Sequence, residues 1–428
     1  MVYRALRKAK DAIIGKHEDG FKKLYQYANE VKKVMPTSIV KLMTEAAEFD
    51  FEGRRFKRFY VCLGPLKEGF LHGCRPLIGL DGCHLKGPFK GILLTAVGTD
   101  PNEGMYPIAW AQVEAENTSS WYWFLGQLKQ DLMIQNSGTY TFISDRQKGL
   151  INALESHIPE SEHRLCVMHL YNNMKSISKG LGISKTMWQA VRSTTYYFFN
   201  MNMETIKKLS KTCYDWLIAK PKSQWSRASF RDVCKSDVFV NNNCESFNNA
   251  IKKYRDNGIV TMFNNIYKTC MQRIQKRAIK LAGKATLVWN GGDKYHVTMS
   301  AGGHEKMDPL DFIHQCYSKE TYMEVYSHIL EPISGEAYWE QTEQDEPLPP
   351  LKRTPPGRPK KFRDKRNDVV PTRANNPTML KRQGTTLRCS HCGQWEHNVR
   401  SCPRRQAEEA QGEGELTGNL KILSVLIA

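Results

Sequence analysis

Four residues near the C-terminus have side chains and spacing that suit a metal ion. Cys389, Cys392, His397 and Cys402 form a Cys-x2-Cys-x4-His-x4-Cys arrangement. Three thiolates and one imidazole at these spacings can close a tetrahedron around a zinc ion. Because so short a segment cannot build an apolar core, nothing but a metal would order it. We predict a zinc site here over four unligated residues in a tail.

The same four residues resemble the retroviral-type zinc knuckle, which also has a glycine after its second cysteine, here Gly393. Trp395 stands where an exposed aromatic ring can stack on an unpaired base, so single-stranded nucleic acid or RNA is an expected partner. Glu396 replaces the glycine usual before the histidine. We expect this change to affect the turn or the nucleic-acid affinity and to leave the metal in place.

The segment before the knuckle is strongly basic. Residues 351–405 contain 15 Lys or Arg and three Asp or Glu, so about +12 of the chain's net +18 lies there. Within it, Arg358, Lys360 and Lys361 belong to a Pro-Gly-Arg-Pro-Lys-Lys sequence that resembles an AT-hook for the DNA minor groove. A nuclear-localisation signal over residues 352–366 and a plain basic linker are equal alternatives.

Three acidic residues form a second candidate site. Asp81 ends a predicted strand, Asp145 follows another, and Glu245 begins a helical stretch. Two aspartates at neighbouring strand ends and a helical glutamate could hold two Mg²⁺ or Mn²⁺ ions, an arrangement suited to phosphodiester attack. Taken without context, an Asp at a strand end is more often a turn or cap residue.

The elements that must place these carboxylates follow from the apolar pattern. The order from Pro76 onward is β-β-β-α-β-α. The predicted strands are 77–80, 92–97, 106–113 and 140–143, and the predicted helices are 121–132 and 148–156. Helical periodicity then continues from about residue 165 to 282, and near the N-terminus it covers 24–31 and 39–49.

These patterns divide the chain into five parts. The predicted domains are a helical entry region (1–55), a mixed α/β domain (74–255) with a helical insertion (about 165–240), a helical C-terminal region (256–340), a proline-rich basic linker expected to be disordered (341–388), and the zinc knuckle (389–403).

The sequence motifs around the acidic residues resemble those of plant Mutator-like (MULE) transposases. They are Leu-Asp-Gly-Cys-His-Leu-Lys-Gly at 80–87, Tyr-Pro-Ile-Ala-Trp at 106–110, 144–150, Cys-Val-Met-His at 166–169 and 243–248, in the family's order. The resemblance covers roughly residues 3–282 and 317–339. It implies an RNase H-like mixed sheet with a large helical insertion, and an acidic triad at Asp81, Asp145 and Glu245.

Cys166 and His169 correspond to the family's Cys-x2-His pair, which implies a role in metal binding or in active-site geometry. Two family features are absent from the sequence. The chain starts after the zinc-containing DNA-binding domain expected at the N-terminus. Residues 297–314 contain no Cys-x-Cys or Cys-x-His pair, so we expect no SWIM finger.

Composition narrows the function classes. No run of eighteen apolar residues and no secretory signal pattern occurs, so we expect no membrane association. Nine of the twelve cysteines are scattered singly, which favours reduced thiols in the cytosol or nucleus over a disulfide framework.

The sequence leaves three hypotheses open. The first is a nuclear, transposase-derived protein that binds nucleic acid and zinc. The second is an active transposase that cuts and joins DNA with Mg²⁺ or Mn²⁺ and acts as a monomer or homo-oligomer. The third is an interaction scaffold whose affinity for nucleic acid is incidental and strongly salt-dependent.

Overall fold

The computed structural model describes most of the chain up to residue 351 and a few residues near the C-terminus. The described residues are 12, 16–47, 53–177, 180–282, 285–289, 295–299, 319–351, 389, 391, 392, 394 and 402–404. The chain separates into two compact units, Met1–Pro355 and Pro356–Ala428. All the elements below belong to the first unit.

A seven-stranded mixed sheet forms the centre of the first unit, with strand order β1-β2-β5-β4-β3-β6-β7. The strands are β1 (Ile39–Ala46), β2 (Arg54–Cys62), β3 (Arg75–His84), β4 (Ile92–Thr99), β5 (Met105–Val113), β6 (Thr141–Ser144) and β7 (Glu162–Leu165). The pairs from β1 to β3 are antiparallel, and β3-β6 and β6-β7 are parallel. The α/β class predicted from the sequence is confirmed.

Helices surround this sheet and form a block of their own after β7. They are α1 (Leu24–Val34), α2 (Gly64–Gly73), α3 (Thr118–Asp131), α4 (Lys148–His157), α5 (Val167–Ile177), α6 (Leu181–Arg192), α7 (Tyr196–Leu209), α8 (Lys211–Ile218), α9 (Asn242–Ala250), α10 (Ile259–Ala282) and α11 (Lys319–Ser327). None of the described helices combines the length and apolar character needed to cross a bilayer.

The order β-β-β-α-β-α predicted from Pro76 onward is confirmed by β3, β4, β5, α3, β6 and α4. Every residue of β4 and β5 is buried. The reason is that both strands lie inside the sheet, and elements cover both of its faces. Continuous apolar runs are the sequence pattern of such strands, which is why these elements could be predicted without the structure.

Two helical predictions are wrong, one before and one after the predicted α/β domain. Residues 39–46, predicted as helical, form β1, which pairs antiparallel with β2. The sequence analysis also did not predict the strands β2 and β7. The C-terminal region predicted as helical contains a hairpin of β8 (Ala285–Trp289) and β9 (Tyr295–Met299). Both hairpin segments are rich in β-branched and aromatic residues, and the connection holds two glycines, which together favour strands.

Helices α5 to α8 enclose an apolar core separate from that of the sheet. Val167, Met187, Phe199 and Trp225 are among its fully or nearly fully buried side chains. Aromatic residues supply much of this core, and the rings of Phe199 and Trp225 lie 5.4 Å apart. The helical block after β7 thus has the buried apolar surface needed to fold around its own centre.

Helix α9 lies directly against β3, because Gly79 leaves room for it. The sequence predicted that this strand ends at Asp81, but β3 continues to His84 because Gly82 to His84 still pair with β4. A Cβ atom at Gly79 would lie 2.4 Å from Asn241 Oδ1 and 2.7 Å from Cys244 Sγ. Both distances are shorter than a van der Waals contact. The absence of a side chain at Gly79 therefore sets how closely α9 approaches the sheet.

We expect Gly79→Ala to lower the free energy of unfolding by about 1–3 kcal/mol, because the added methyl group overpacks the contact with Asn241 and Cys244. Urea unfolding followed by circular dichroism measures this loss. The control is Gly182→Ala in α6, where the nearest atom would be 3.7 Å away. That change should be neutral or stabilise by up to about 1 kcal/mol. Equal stabilities for the two variants would contradict the packing argument.

Candidate functional site

Asp81 and Asp145 lie side by side at one end of the sheet. The parallel register ends with the pair of Gly79 and Ile143, and each aspartate follows its member of that pair by two residues. Neighbouring strands are about 4.8 Å apart, so the two carboxylates interact electrostatically. Asp145 contributes to raising the pKa of Asp81, as this register requires.

Asp81 is partly buried and held by two hydrogen bonds. The Gly82 amide donates to Oδ1 at 2.9 Å, and Asn248 Nδ2 donates to Oδ2 at 2.6 Å. Burial raises the pKa of Asp81 to about 6, and the two hydrogen bonds oppose that increase. Asp81 is therefore mostly ionised at neutral pH, but at a cost in free energy that a cation would remove.

Asp145 starts the turn that leads into α4. Its Oδ1 accepts a hydrogen bond from the Gln147 amide at 3.1 Å. The side chain of Gln147 then caps α4, because its Oε1 accepts from the Leu150 amide at 2.6 Å. Gln147 Nε2 also donates to the carbonyl oxygen of Glu116 at 3.1 Å. One side chain thus links the turn of Asp145 to the loop that contains Glu116.

Glu116 is a further carboxylate of the site that the sequence analysis did not identify. The pKa of Glu116 is raised mainly by burial, and the charges of Asp145 and Asp81 add to the increase. Gly82 permits its approach, since a Cβ there would lie 3.0–3.1 Å from the carboxylate atoms of Glu116. The sequence shows Glu114 and Glu116 two residues apart after β5. Only the structure shows that Glu114 is instead paired with Arg58, whose Nε donates to Glu114 Oε2 at 2.9 Å.

Glu245 joins a different set of neighbours. One ligand atom each from Cys166, His169 and Glu245 lie within 4.8 Å of one another. Cys166 is buried, whereas His169 and Glu245 are exposed. The hydrogen bond with Cys166 raises the pKa of His169 to about 9, and Asp145 and Glu245 add to this rise. His169 therefore interacts with both Asp145 and Glu245.

The thiol of Cys166 responds in the opposite sense. Its burial acts to raise the pKa, yet the net shift is downward. Hydrogen bonds from the His169 side chain and from the Asn241 and His169 amides outweigh the burial, because they favour the thiolate. The Cys-x2-His pair predicted as auxiliary is thus brought together, next to the predicted glutamate.

Asn241 holds the start of α9 to the sheet. Its side-chain Nδ2 donates to the carbonyl of Leu80 at 3.0 Å, and its backbone amide donates to Cys166 Sγ at 3.3 Å. The Cys166 amide in turn donates to the Ser144 carbonyl at 2.7 Å. These bonds connect β3, β6 and α9 at the residues that precede Asp81, Asp145 and Glu245. The three predicted catalytic residues therefore share one end of the sheet.

The second unit contains the predicted cysteine cluster. The sulfur atoms of Cys389, Cys392 and Cys402 lie within 4.8 Å of one another, and the Cys389 amide donates to the Gln394 carbonyl at 2.8 Å. The Cys392 amide lowers the pKa of Cys389, assisted by the other two thiols. Three convergent thiols fit a zinc ion. His397, Trp395, Arg358, Lys360 and Lys361 lie outside the described residues.

Comparison with known proteins identifies one region of this chain. The family model of the MULE transposase domain matches residues 77–173. That segment runs from β3 into α5 and includes Asp81, Asp145, Cys166 and His169, whereas Glu245 follows it. The match supports a protein related to Mutator-like transposases. A search of curated proteins found no match.

The raised pKa of Asp81 predicts a pH-dependent effect of Asp81→Asn on stability. A carboxyl whose pKa rises from 3.8 to about 6 on folding contributes stability below pH 4, and this is lost as the pH rises through 6. In EDTA, Asp81→Asn should match the parent at pH 4 and exceed it at pH 7.5 by on the order of 2 kcal/mol. The Asn248 side chain can flip to accept from the new amide.

Urea unfolding at both pH values measures this difference. Asp215→Asn, on the exposed face of α8, is the matched control and should show no such pH-dependent gain. A difference between parent and Asp81→Asn that stays constant from pH 4 to pH 7.5 would show that burial does not govern the pKa of Asp81.

Proposed function

We propose that this protein acts on DNA by metal-ion-dependent phosphodiester chemistry and derives from a Mutator-like transposase. The observation that carries the proposal is the convergence of Asp81, Asp145 and Glu116 at one end of the sheet. Asp81 and Glu116 are partly buried carboxylates whose pKa values are raised by burial and by neighbouring carboxylates, which is an unfavourable arrangement unless a cation binds there.

The sheet order supports an RNase H-like fold for this domain. Three antiparallel strands, β5-β4-β3, are extended by the parallel strands β6 and β7, with α3 and α4 in the connections. The family match begins with β3 and agrees with this interpretation. We accordingly retain the predicted α/β domain (74–255), with α5 to α8 as the insertion before Glu245.

The donor set fits hard divalent cations, because carboxylate oxygens are the ligands that Mg²⁺ and Mn²⁺ prefer. Asp81, Asp145 and either Glu116 or Glu245 would hold them. Bound there, such ions supply an activated hydroxyl nucleophile and charge stabilisation of the leaving oxygen. Gly82 and Asn248 hold the Asp81 carboxylate in orientation, and the Gln147 amide does the same for Asp145.

Basic side chains stand next to this site. Arg146 and Lys148 directly follow Asp145 and are exposed. Burial, together with the nearby charge of Arg146, lowers the pKa of Lys220 to about 8. The exposed cations Arg146 and Lys148 can contact the phosphates of a DNA backbone and bring a phosphodiester to the carboxylates, whereas Lys220 is buried and donates to the Trp216 carbonyl.

We expect Asp145→Asn to reduce Mn²⁺-dependent nicking of supercoiled plasmid by at least about 100-fold, because it removes a charge that would bind the ion. Conversion of supercoiled to open-circular plasmid measures the rate. Glu155→Gln, an exposed change in α4, should cleave like the parent. Equal nicking by Asp145→Asn and the parent would show that the activity does not come from this site.

A second function is favoured by the three converging thiols of the C-terminal unit. We propose that Cys389, Cys392 and Cys402, with His397 as the fourth ligand, bind zinc and present Trp395 to an unpaired base of single-stranded DNA or RNA. Arg358, Lys360 and Lys361 would add phosphate or minor-groove contacts. Such binding would hold the protein on nucleic acid in the nucleus.

The double variant Cys389→Ser/Cys392→Ser should lose one zinc ion per chain and bind a fluorescent single-stranded oligonucleotide roughly tenfold more weakly at 150 mM salt, since stacking on one aromatic contributes about 1–3 kcal/mol. Fluorescence anisotropy and metal analysis provide the two readouts. Cys74→Ser, in the first unit, is the matched thiol control. Loss of zinc without any loss of affinity would separate the metal site from nucleic-acid binding.

A further inference from the structure

We infer that Cys166, His169 and Glu245 form a second transition-metal site, selective for a zinc-like ion and adjacent to the carboxylates Asp81 and Asp145. One ligand atom from each of the three residues lies within 4.8 Å of the others. Atoms bound to a common zinc ion are separated by less than this limit, since each lies about 2.0–2.3 Å from the metal. The side chains therefore need only small movements to bind one ion.

The chemical types of the three ligands select the ion. A thiolate, an imidazole and one carboxylate suit Zn²⁺, whereas Mg²⁺ prefers oxygen ligands throughout. The thiolate and the carboxylate together carry two negative charges, which balance a divalent ion when the imidazole is neutral. Binding would displace the proton that Cys166 and His169 share, because all three ligands must be deprotonated.

The backbone around the ligands is fixed before any ion arrives. Cys166 follows β7, and its amide donates a hydrogen bond to the Ser144 carbonyl. Its sulfur accepts a hydrogen bond from the Asn241 amide. His169 lies in the first turn of α5, three residues after Cys166, so the two side chains can meet on one face. The Val167 amide donates to the Phe239 carbonyl at 2.9 Å and holds the chain before α9.

Glu245 completes the set from the first turn of α9. Its side chain and that of His169 are exposed, so solvent has access to the site and an ion has a path to it. Three protein ligands and an open side leave a fourth position for water, as in zinc sites that are not purely structural. The site thereby differs from the C-terminal cysteine cluster, whose fourth predicted ligand is a histidine.

An ion at this position would also fasten α9 to α5. Helix α9 carries Asn248, which donates to Asp81, and is preceded by Asn241, which donates to the carbonyl of Leu80. A bond from Glu245 to an ion held by α5 would therefore stabilise the placement of the residues around Asp81. This inference does not depend on catalysis, since ion binding by these three residues is measurable whether or not the neighbouring carboxylates act on DNA.

The test uses the full chain with Cys389→Ser and Cys392→Ser, so that the C-terminal cluster no longer binds metal. Co²⁺ is titrated in the presence of excess Mg²⁺, and the sulfur-to-cobalt charge-transfer band and tetrahedral ligand-field bands are recorded. We expect one Co²⁺ per chain with both sets of bands, and displacement by Zn²⁺. Absence of a sulfur-to-cobalt band in this folded protein would overturn the inference.

Variants in the same background assign the ligands. Cys166→Ser should abolish the charge-transfer band, and His169→Asn and Glu245→Gln should each weaken Co²⁺ binding by more than about tenfold. Cys74→Ser and Glu155→Gln are the matched controls and should bind like the parent. Retention of parental spectrum and affinity by either His169→Asn or Glu245→Gln would also contradict the site.

A thermal readout keeps the test decisive where one variant folds poorly. Zn²⁺ should raise the Tm of the chain lacking the C-terminal cluster, because a ligand that binds only the folded state stabilises it. This Zn²⁺-induced increase in Tm should disappear in His169→Asn, and circular dichroism of that variant checks that it is folded. Equal Zn²⁺-induced increases in the parent and in His169→Asn would place the ion elsewhere.

Discussion

The parallel pairing of β6 with β3 is the contact on which the candidate site depends. It brings Asp145 close to Asp81, although the two residues are 64 positions apart in the chain. β7 then extends the same parallel arrangement and places Cys166 next to Ser144. A shift of β6 by one residue would turn the side chain of Asp145 to the opposite face, because successive residues of a strand alternate in direction.

The site concentrates like charges in a partly buried place, and the surrounding structure offsets this only in part. Hydrogen bonds from Gly82 and Asn248 stabilise the ionised form of Asp81, and the charge of His169 acts in the same direction. Burial nevertheless dominates and keeps the pKa of Asp81 near 6. A scaffold that holds carboxylates together against this repulsion is ready for a cation, because ion binding requires little rearrangement.

Two glycines show how local sequence serves this arrangement. Gly79 allows the start of α9 to approach β3, and Gly82 allows the Glu116 carboxylate to approach β3. Neither glycine has a positive φ, so the need is for space and not for an unusual backbone conformation. The two close approaches bring α9, which carries Glu245, and the Glu116 carboxylate against β3.

The sequence by itself determined the central elements and the identity of most candidate residues. Apolar runs predicted β3, β4, β5 and β6, because strands buried on both faces leave that pattern. The cysteine spacing predicted the C-terminal cluster, because its ligands are close in the chain. Tertiary structure alone decided that residues 39–46 and the polar residues 162–165 are strands, since these depend on pairing with distant partners. It also decided that Glu116 lies against Gly82 while Glu114 pairs with Arg58, and that Glu245 lies beside Cys166 and His169. Residues this far apart in the chain meet only after the sheet has formed.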